Sequence, residues 1–203
     1  MREHINAPAF MPRAKTFDEQ EILEKAMSLF WEKGYSATSI QDLVTYLGVN
    51  RASLYDTYGG KDALFKKSFE LYRRKNIQGM KTFLNEYTDV RTGFHALFDK
   101  AIDQSVQDKH RKGCFVVNTT TELIPGDGEL LLLLAENKKT IEGIFYDYLK
   151  KGETKNQFSA DKDLRSIASM LFTLYNGLKV ISKVETSKED MTRTVLIALS
   201  LLD

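Results

Sequence analysis

At 203 residues, with 42% apolar and 28% charged side chains, the chain has the composition of an ordinary folded protein and the length to bury a sizeable core. A net charge of +1 excludes a chain that holds nucleic acid by bulk electrostatics, and the single cysteine, Cys114, excludes an intramolecular disulfide and fits a reducing compartment. The longest apolar run, Leu130 to Ala135, falls far short of the roughly 20 residues of a membrane span, and the polar start with Pro8 and Pro12 does not read as a secretory leader, so no membrane association and a cytoplasmic location are expected.

Residues 1–16 have no periodicity and are expected to form a flexible arm, in which Arg13 and Lys15 could reach phosphate or simply be solvated. A first helix is predicted from about Phe17 to Lys33, where Ile22, Leu23, Ala26, Met27 and Phe30 recur at helical spacing and Gly34 stops the run. A second, Ile40 to Leu47, carries one apolar face of Ile40, Leu43, Val44 and Leu47. Gly48 can take the left-handed conformation that ends it, Val49 can plug the angle that follows, and Asn50 can cap a third helix by accepting the amide of Ala52 or Ser53. Two short helices this close together are a helix-turn-helix. Leu54 and Tyr58 supply the inward side of the third helix. Arg51, Ala52, Ser53, Tyr55 and Asp56 share its outer surface, and these mostly small or hydrogen-bonding groups suit a helix entering a major groove. Thr38 and Ser39 stand at the start of the second helix, where a hydroxyl either caps the helix or donates to a DNA phosphate, and one of the pair is expected to do each job.

From Lys61 to about Glu86 the helical period runs unbroken by proline through Leu64, Phe65, Phe69, Tyr72, Met80 and Phe83. This element begins at the reading head and ends in the second half, so it joins them mechanically. The expected division is an arm over 1–16, a DNA-binding head over 17–75 and a ligand-binding and dimerisation body over 76–203. Up to Lys75 there are 12 basic and 10 acidic side chains, and 17 against 18 beyond it, so affinity for DNA must come from locally placed charges and from two footprints. Lys61 lies beside the unpaired amides of a helix start, which suits a phosphate; the alternative is a solvated surface charge.

Further helices are predicted from Asp89 to about Val106, from Gly113 to Leu123 before the turn Pro125-Gly126-Asp127-Gly128, and from about Glu129 to Lys151. Asp161 or Ser159 then opens a long helix to about Val184, and Ser187 opens the last, ending near Leu202. No alternating run competes for a sheet, so the fold class is all-α. Leu164, Ile167, Leu171, Leu174 and Leu178 make the long helix apolar over a wide arc once Met170 and Phe172 are added, and Val195, Leu199 and Leu202 line the last. A helix with two apolar faces needs two partners. One is its own core; the other is the same helix pair in a second subunit, or else both faces are buried within one chain.

The order LFWEKGY, T-S-I, L-G-V-N-R-A-S-L-Y, an aromatic and K-D-A-L-F, with these loop lengths, resembles the DNA-binding domain of the TetR family of bacterial transcriptional regulators, most strongly from Gly34 to Phe65. The resemblance implies an all-α homodimer, an N-terminal three-helix head joined to a helical body, on double-stranded DNA with a palindromic operator and heads about 34–36 Å apart. It implies a repressor released when a small-molecule effector in the second half tilts the helix that starts at Lys61. Arg51, Ser53 and Tyr55 are then the candidates for base contact, with Asn50 and Ala52 beside them, and Thr38, Ser39, Tyr58 and Lys61 fix the backbone.

The candidate effector site is drawn from the aromatics of the second half, Phe83, Tyr87, Phe94, Phe98, Phe115, Phe145, Phe172 and Tyr175, with Asn118 and Asn176 as polar groups among them. Such a set suits a small amphipathic or aromatic ligand, although each ring taken singly reads as core. Cys114 follows Gly113 at a helix start with Arg111 and Lys112 upstream, a setting that favours the thiolate that electrophiles and oxidants modify; the alternative is a small space-filling residue. A repressor switched through Cys114 is therefore the second functional reading. The histidines, His4, His95 and His110, form no convincing nucleophile pair or metal site, and no phosphate-binding glycine loop is present. No catalytic residue, metal or cofactor is assigned, and an enzyme or a ligand carrier without DNA binding is the remaining alternative.

Overall fold

The computed structural model describes residues 18–184 and 187–203, so the expected arm, with Arg13 and Lys15, and Phe17 lie outside the described residues. Those described form α1 (Glu19–Lys33), α2 (Ile40–Leu47), α3 (Arg51–Tyr58), α4 (Lys61–Asn85), α5 (Val90–Gln107), α6 (Phe115–Leu123), α7 (Gly128–Thr154), α8 (Leu164–Ile181) and α9 (Lys188–Leu199), closed by a 3-10 turn over Ser200–Leu202. The fold is all-α, as expected. Most helices begin where a short polar side chain takes up free amides: Asp18, Ser39, Asn50, Asp89, Asp127, Asp163 and Ser187. Asp163, rather than Asp161 or Ser159, caps α8. Helices α4 and α6 follow Gly60 and Cys114 and have no side-chain cap.

Two cores result. In the first, Ala26 and Phe30 of α1, Leu43 of α2, Leu54 of α3 and Phe65 and Phe69 of α4 pack with Phe115 and Val116 of α6 and Leu130 and Leu134 of α7. The reading head is therefore not closed by its own helices. Helix α6 and the start of α7 complete its core, so the packing boundary does not follow the division at residue 75. In the second core, α5, α7, α8 and α9 meet through Phe94, Phe98, Phe145, Leu171 and Val195. Six of the eight residues expected at a dimer seam, Leu164, Leu171, Leu178, Val195, Leu199 and Leu202, are buried in this core of their own chain. Ile167 and Leu174 are partly buried against it. The reason is that α7 runs along α8 and α5 along α9, and helical period alone does not say which neighbour an apolar stripe meets. On the last two helices and their flanks the apolar side chains left exposed are others: Val180 and Ile181 at the end of α8, Val184 just beyond it, and Leu196, Ile197 and Leu201 on α9 and the final turn; Val106, Leu131 and Leu132 are exposed elsewhere.

One buried charge ties α4 to α7. Arg73 is 4% exposed, pairs with Glu70 at 2.6 Å and donates to the buried Asn137 side chain at 3.3 Å. Truncation leaves Asn137 without this donor, so Arg73→Ala is expected to lower stability by about 2–4 kcal/mol in urea denaturation. A loss below about 0.5 kcal/mol, the usual effect of a surface change, would show that the link carries nothing.

Candidate functional site

The turn of the helix-turn-helix forms as its sequence dictates. Gly48 ends α2 in the left-handed region at φ 68°, Val49 is buried behind it, and Asn50 Oδ1 accepts the Ser53 amide at 2.8 Å. With Leu54 and Tyr58 turned inward, α3 presents Arg51, Ala52, Tyr55 and Asp56 to solvent, and Ser53 is half-buried. The Arg51 guanidinium stands 5.8 Å from the centre of the Tyr55 ring. That ring also lies against Gly60, whose φ of 113° and lack of a side chain leave the space: a Cβ there would sit 3.1 Å from Tyr55 Cε1.

Two of the expected backbone contacts are corrected. Thr38 is fully buried and its hydroxyl donates to the Gly34 carbonyl at 2.6 Å, so it builds the α1–α2 turn. Tyr58 is 5% exposed and donates to the Glu19 carbonyl at 3.0 Å, bracing α3 against α1. Both polar ends are taken by main-chain carbonyls that only the fold brings near. Ser39 is exposed but caps α2: its hydroxyl accepts the Asp42 amide at 3.0 Å and donates to the Asp42 carboxylate at 2.7 Å. Those bonds, and the neighbouring Lys33, hold the Asp42 carboxyl well below the usual range. Lys61 opens α4 beside uncapped amides, its Nζ 4.2 Å from the centre of the Tyr35 ring, and pairs with no carboxylate among the described residues.

Contacts that the sequence did not announce fasten α6 and its flanks to the head. The Glu122 carboxylate accepts the amides of Tyr35 and Ser36 at 3.1 and 2.7 Å. Trp31 Nε1 donates to the Gly113 carbonyl at 3.2 Å, and Lys66 of α4 reaches Glu129 at 2.6 Å. No local pattern marks Glu122, because its partners are main-chain amides some 86 residues earlier.

Between head and body lies a cavity of about 420 Å³, walled by Trp31 of α1, Tyr72 and Asn76 of α4, the end of α5, the segment from Asp108 to Cys114, and Tyr175 and Lys179 of α8. Cys114 is 6% exposed, and the Tyr72 hydroxyl donates to its Sγ at 3.7 Å. Burial pushes the Tyr72 phenol up, with Cys114 adding to the effect; burial also pushes the Tyr175 phenol up and the Lys179 ammonium down.

Of the residues expected to line an effector site, Tyr175 faces this cavity. Phe83 borders a smaller one of about 190 Å³ next to it, with Tyr87 packed on its ring at 5.3 Å. Asn118 braces the wall from behind: Nδ2 donates to the Lys112 carbonyl and Oδ1 accepts Lys183 Nζ, each at 2.7 Å. The others are drawn elsewhere. Phe94, Phe98 and Phe145 are fully buried in the second core, Phe115 sits in the first, Phe172 packs partly buried on the second, and Asn176 donates to the Phe172 carbonyl of its own helix. Aromatic content does not distinguish rings in a core from rings around a space. Trp31 and Tyr72 of the wall belong to the head in sequence, so the aromatics of the second half do not point to them; Lys179, a charge within the apolar helix α8, is the one sequence signal of this space.

No helix among the described residues is long and apolar enough to cross a membrane. The family model for bacterial regulatory proteins of the tetR family matches residues 22–67, and that for the tetracyclin repressor-like C-terminal domain matches residues 93–197. The chain is similar to the HTH-type transcriptional regulator YezE of Bacillus subtilis (strain 168), at 31% identity over 95% of this chain and 100% of that one. It is also similar to the HTH-type transcriptional repressor ComR of Escherichia coli (strain K12), at 26% identity over 88% and 86% of the two chains. Among solved structures, a cysteine-substituted CifR bound to double-strand operator DNA superposes with a TM-score of 0.84 at 23% identity, covering 95% of this chain and 100% of that one. The reduced form of NemR from E. coli superposes with a TM-score of 0.82 at 16% identity, covering 91% and 96%. These relatives are transcriptional regulators rather than enzymes.

Proposed function

Since the chain belongs to the TetR family of bacterial transcriptional regulators, we propose that it is a cytoplasmic repressor that binds a palindromic operator as a homodimer and is released by a small-molecule effector in the cavity beside Trp31 and Tyr175. The exposed face of α3 supports DNA binding by Arg51, Ala52, Ser53 and Tyr55, with Asn50 holding the helix start, and Lys61 with the uncapped amides of α4 takes a phosphate. Ser39 contributes as the cap that sets the angle of α2. The head over 17–75 and the body over 76–203 act as the two working parts, with α6 as the clasp between them. The exposed apolar side chains of α8 and α9 are the surface for a second copy.

The observation that carries effector release is the two-sided wall of the cavity. Trp31 and Tyr72 belong to helices of the head and Tyr175 and Lys179 to the body, so a ligand there bears on the angle between them. It acts as an allosteric effector only if it binds the DNA-competent and released states with different affinity. Fluorescence anisotropy on DNA upstream of the protein's own gene tests the reading. Saturable, salt-dependent binding that no small molecule reverses would remove the effector, and absence of any sequence preference would remove the operator.

The division of labour in the head gives a sharper expectation. Lys61→Ala weakens binding to all sequences and lowers the salt slope by about 1, whereas Arg51→Ala costs about 1–3 kcal/mol on the operator alone. Equal losses on operator and random DNA for both variants would overturn these roles.

A second reading is favoured by the position of Cys114 on the same cavity: an electrophile or oxidant that enters there meets the thiol. Should a Cys114→Ser variant still release DNA in response to such reagents as the parent does, that switch is excluded.

A further inference from the structure

We infer that the effector of this cavity is a small anion, a carboxylate or its equivalent, carrying a flat apolar body. The inference rests on the effector-release reading and adds the chemical class that it leaves open.

Arg111, Lys112, Lys179 and Lys183 converge on the cavity, and among the described residues none of the four is paired with a carboxylate. Their hydrogen-bond and ring partners are neutral, and the Asp108 carboxylate acts on Lys179 through space. Arg111 donates to the Lys183 carbonyl at 3.2 Å, Lys183 to Asn118 at 2.7 Å and Lys179 to the Ala101 carbonyl at 3.3 Å, while Lys112 Nζ lies 4.8 Å from the centre of the Trp31 ring. Asp108 is the one acidic side chain on the wall, and its oxygens accept the amides of His110 and Lys112 at 3.1 and 2.6 Å. Among the side chains of the wall four are cationic and one is acidic, an excess of positive charge in a chain whose whole net charge is +1.

Such a concentration of like charge is unfavourable unless something negative enters. Lys179 carries part of that cost: burial disfavours its ammonium form, with Cys114 and Asp108 offsetting some of the effect, and an anion would relieve the rest with a charge-assisted hydrogen bond. The same cavity offers the rings of Trp31, Tyr72 and Tyr175, which a bare anion leaves uncovered. A neutral hydrocarbon has the opposite fault, covering the rings and leaving the cations unanswered. The cavity volume of about 420 Å³ lies in the lower part of the usual range for small-molecule sites, roughly 300–1,000 Å³.

Trp31 is the only tryptophan in the chain and lines the cavity, so its emission reports occupancy without a label. The full chain is titrated with 3-phenylpropanoate, with its uncharged amide and with inorganic phosphate, and release of fluorescent operator DNA is followed separately. The acid is expected to give a saturable change in Trp31 emission and to bind at least about tenfold more tightly than either the amide or phosphate. Lys179→Met should weaken the acid about tenfold and leave the amide unchanged, while Lys179→Arg, which keeps the charge, restores most of the affinity and shows that the fold is intact. The proposal is overturned if the amide binds as well as the acid, if phosphate alone does, if Lys179→Met leaves acid binding unchanged, or if no saturable signal appears below about 10 mM acid. Acid that binds without releasing DNA supports the anion site and refutes effector release by this class. Release by the amide with no response to the acid does the reverse.

Discussion

Ile197→Arg is expected to yield a folded monomer whose affinity for a full palindromic operator falls by roughly 100-fold or more, with little change on a single half-site. Ile197 is 68% exposed on α9, and Leu196, Leu201, Val180, Ile181 and Val184 are exposed with it. Ile197 and Leu201, four residues apart, share one side of the chain end, and exposed apolar side chains that adjoin in this way suit an interaction face. Arginine there would carry a charge into the proposed interface and leave the core of its own chain untouched, so far-ultraviolet circular dichroism and the urea midpoint should stay near those of the parent. Two heads joined in one dimer bind the second half-site as an intramolecular event, and that advantage disappears with the dimer. Val195→Arg, two residues earlier on the opposite side of α9 and fully buried, should instead unfold the protein. Size-exclusion chromatography with light scattering decides the matter: an Ile197→Arg protein that remains dimeric places the interface elsewhere.

The second large effect concerns stability. Phe115→Ala should cost about 3–5 kcal/mol, as for other fully buried phenylalanines. Phe115 is 2% exposed, and its ring meets those of Phe65, Phe69 and Tyr72 edge-on at 5.9, 5.5 and 5.5 Å. These contacts hold α6 on α4 and so join body to head. The loss should appear in urea denaturation and should also loosen the head, since the ring closes its core. Phe83→Ala, at a half-buried ring beside a cavity, should cost clearly less. If Phe115→Ala leaves stability unchanged and shifts ligand affinity instead, the residue lines an effector site after all, as its aromatic character suggested.

The contrast between these two side chains shows where the sequence is informative. Gly48, Asn50 and the inward pair Leu54 and Tyr58 are each decided by neighbours within a few residues, and the helix-turn-helix follows from them. Phe115 and Phe94 carry the same local signal as Tyr175, yet the first two fill cores and the third walls a cavity. The hydroxyls of Thr38 and Tyr58 looked free for phosphate because their acceptors, the carbonyls of Gly34 and Glu19, come into reach only when α1 is in place. Leu171 and Val195 suit a seam between subunits on sequence for the same reason: their apolar stripe is real, but its partners are α5 and α7 of the same chain.

By itself the sequence determined the helices, the caps at Ser39, Asn50, Asp89 and Ser187, the reading head and the family, because helical period, capping chemistry and turn glycines act over a few residues and survive in a linear string. Only the tertiary structure decided that α6 completes the core of the head, that Glu122 grips the amides of Tyr35 and Ser36, that the free apolar face runs through Ile197, and that four cations gather around Trp31 and Tyr175. Those features depend on which faces of distant helices meet. Apolar burial is non-directional, so a stripe of leucines fits several partners equally well, and the choice among them is made by packing the whole chain at once.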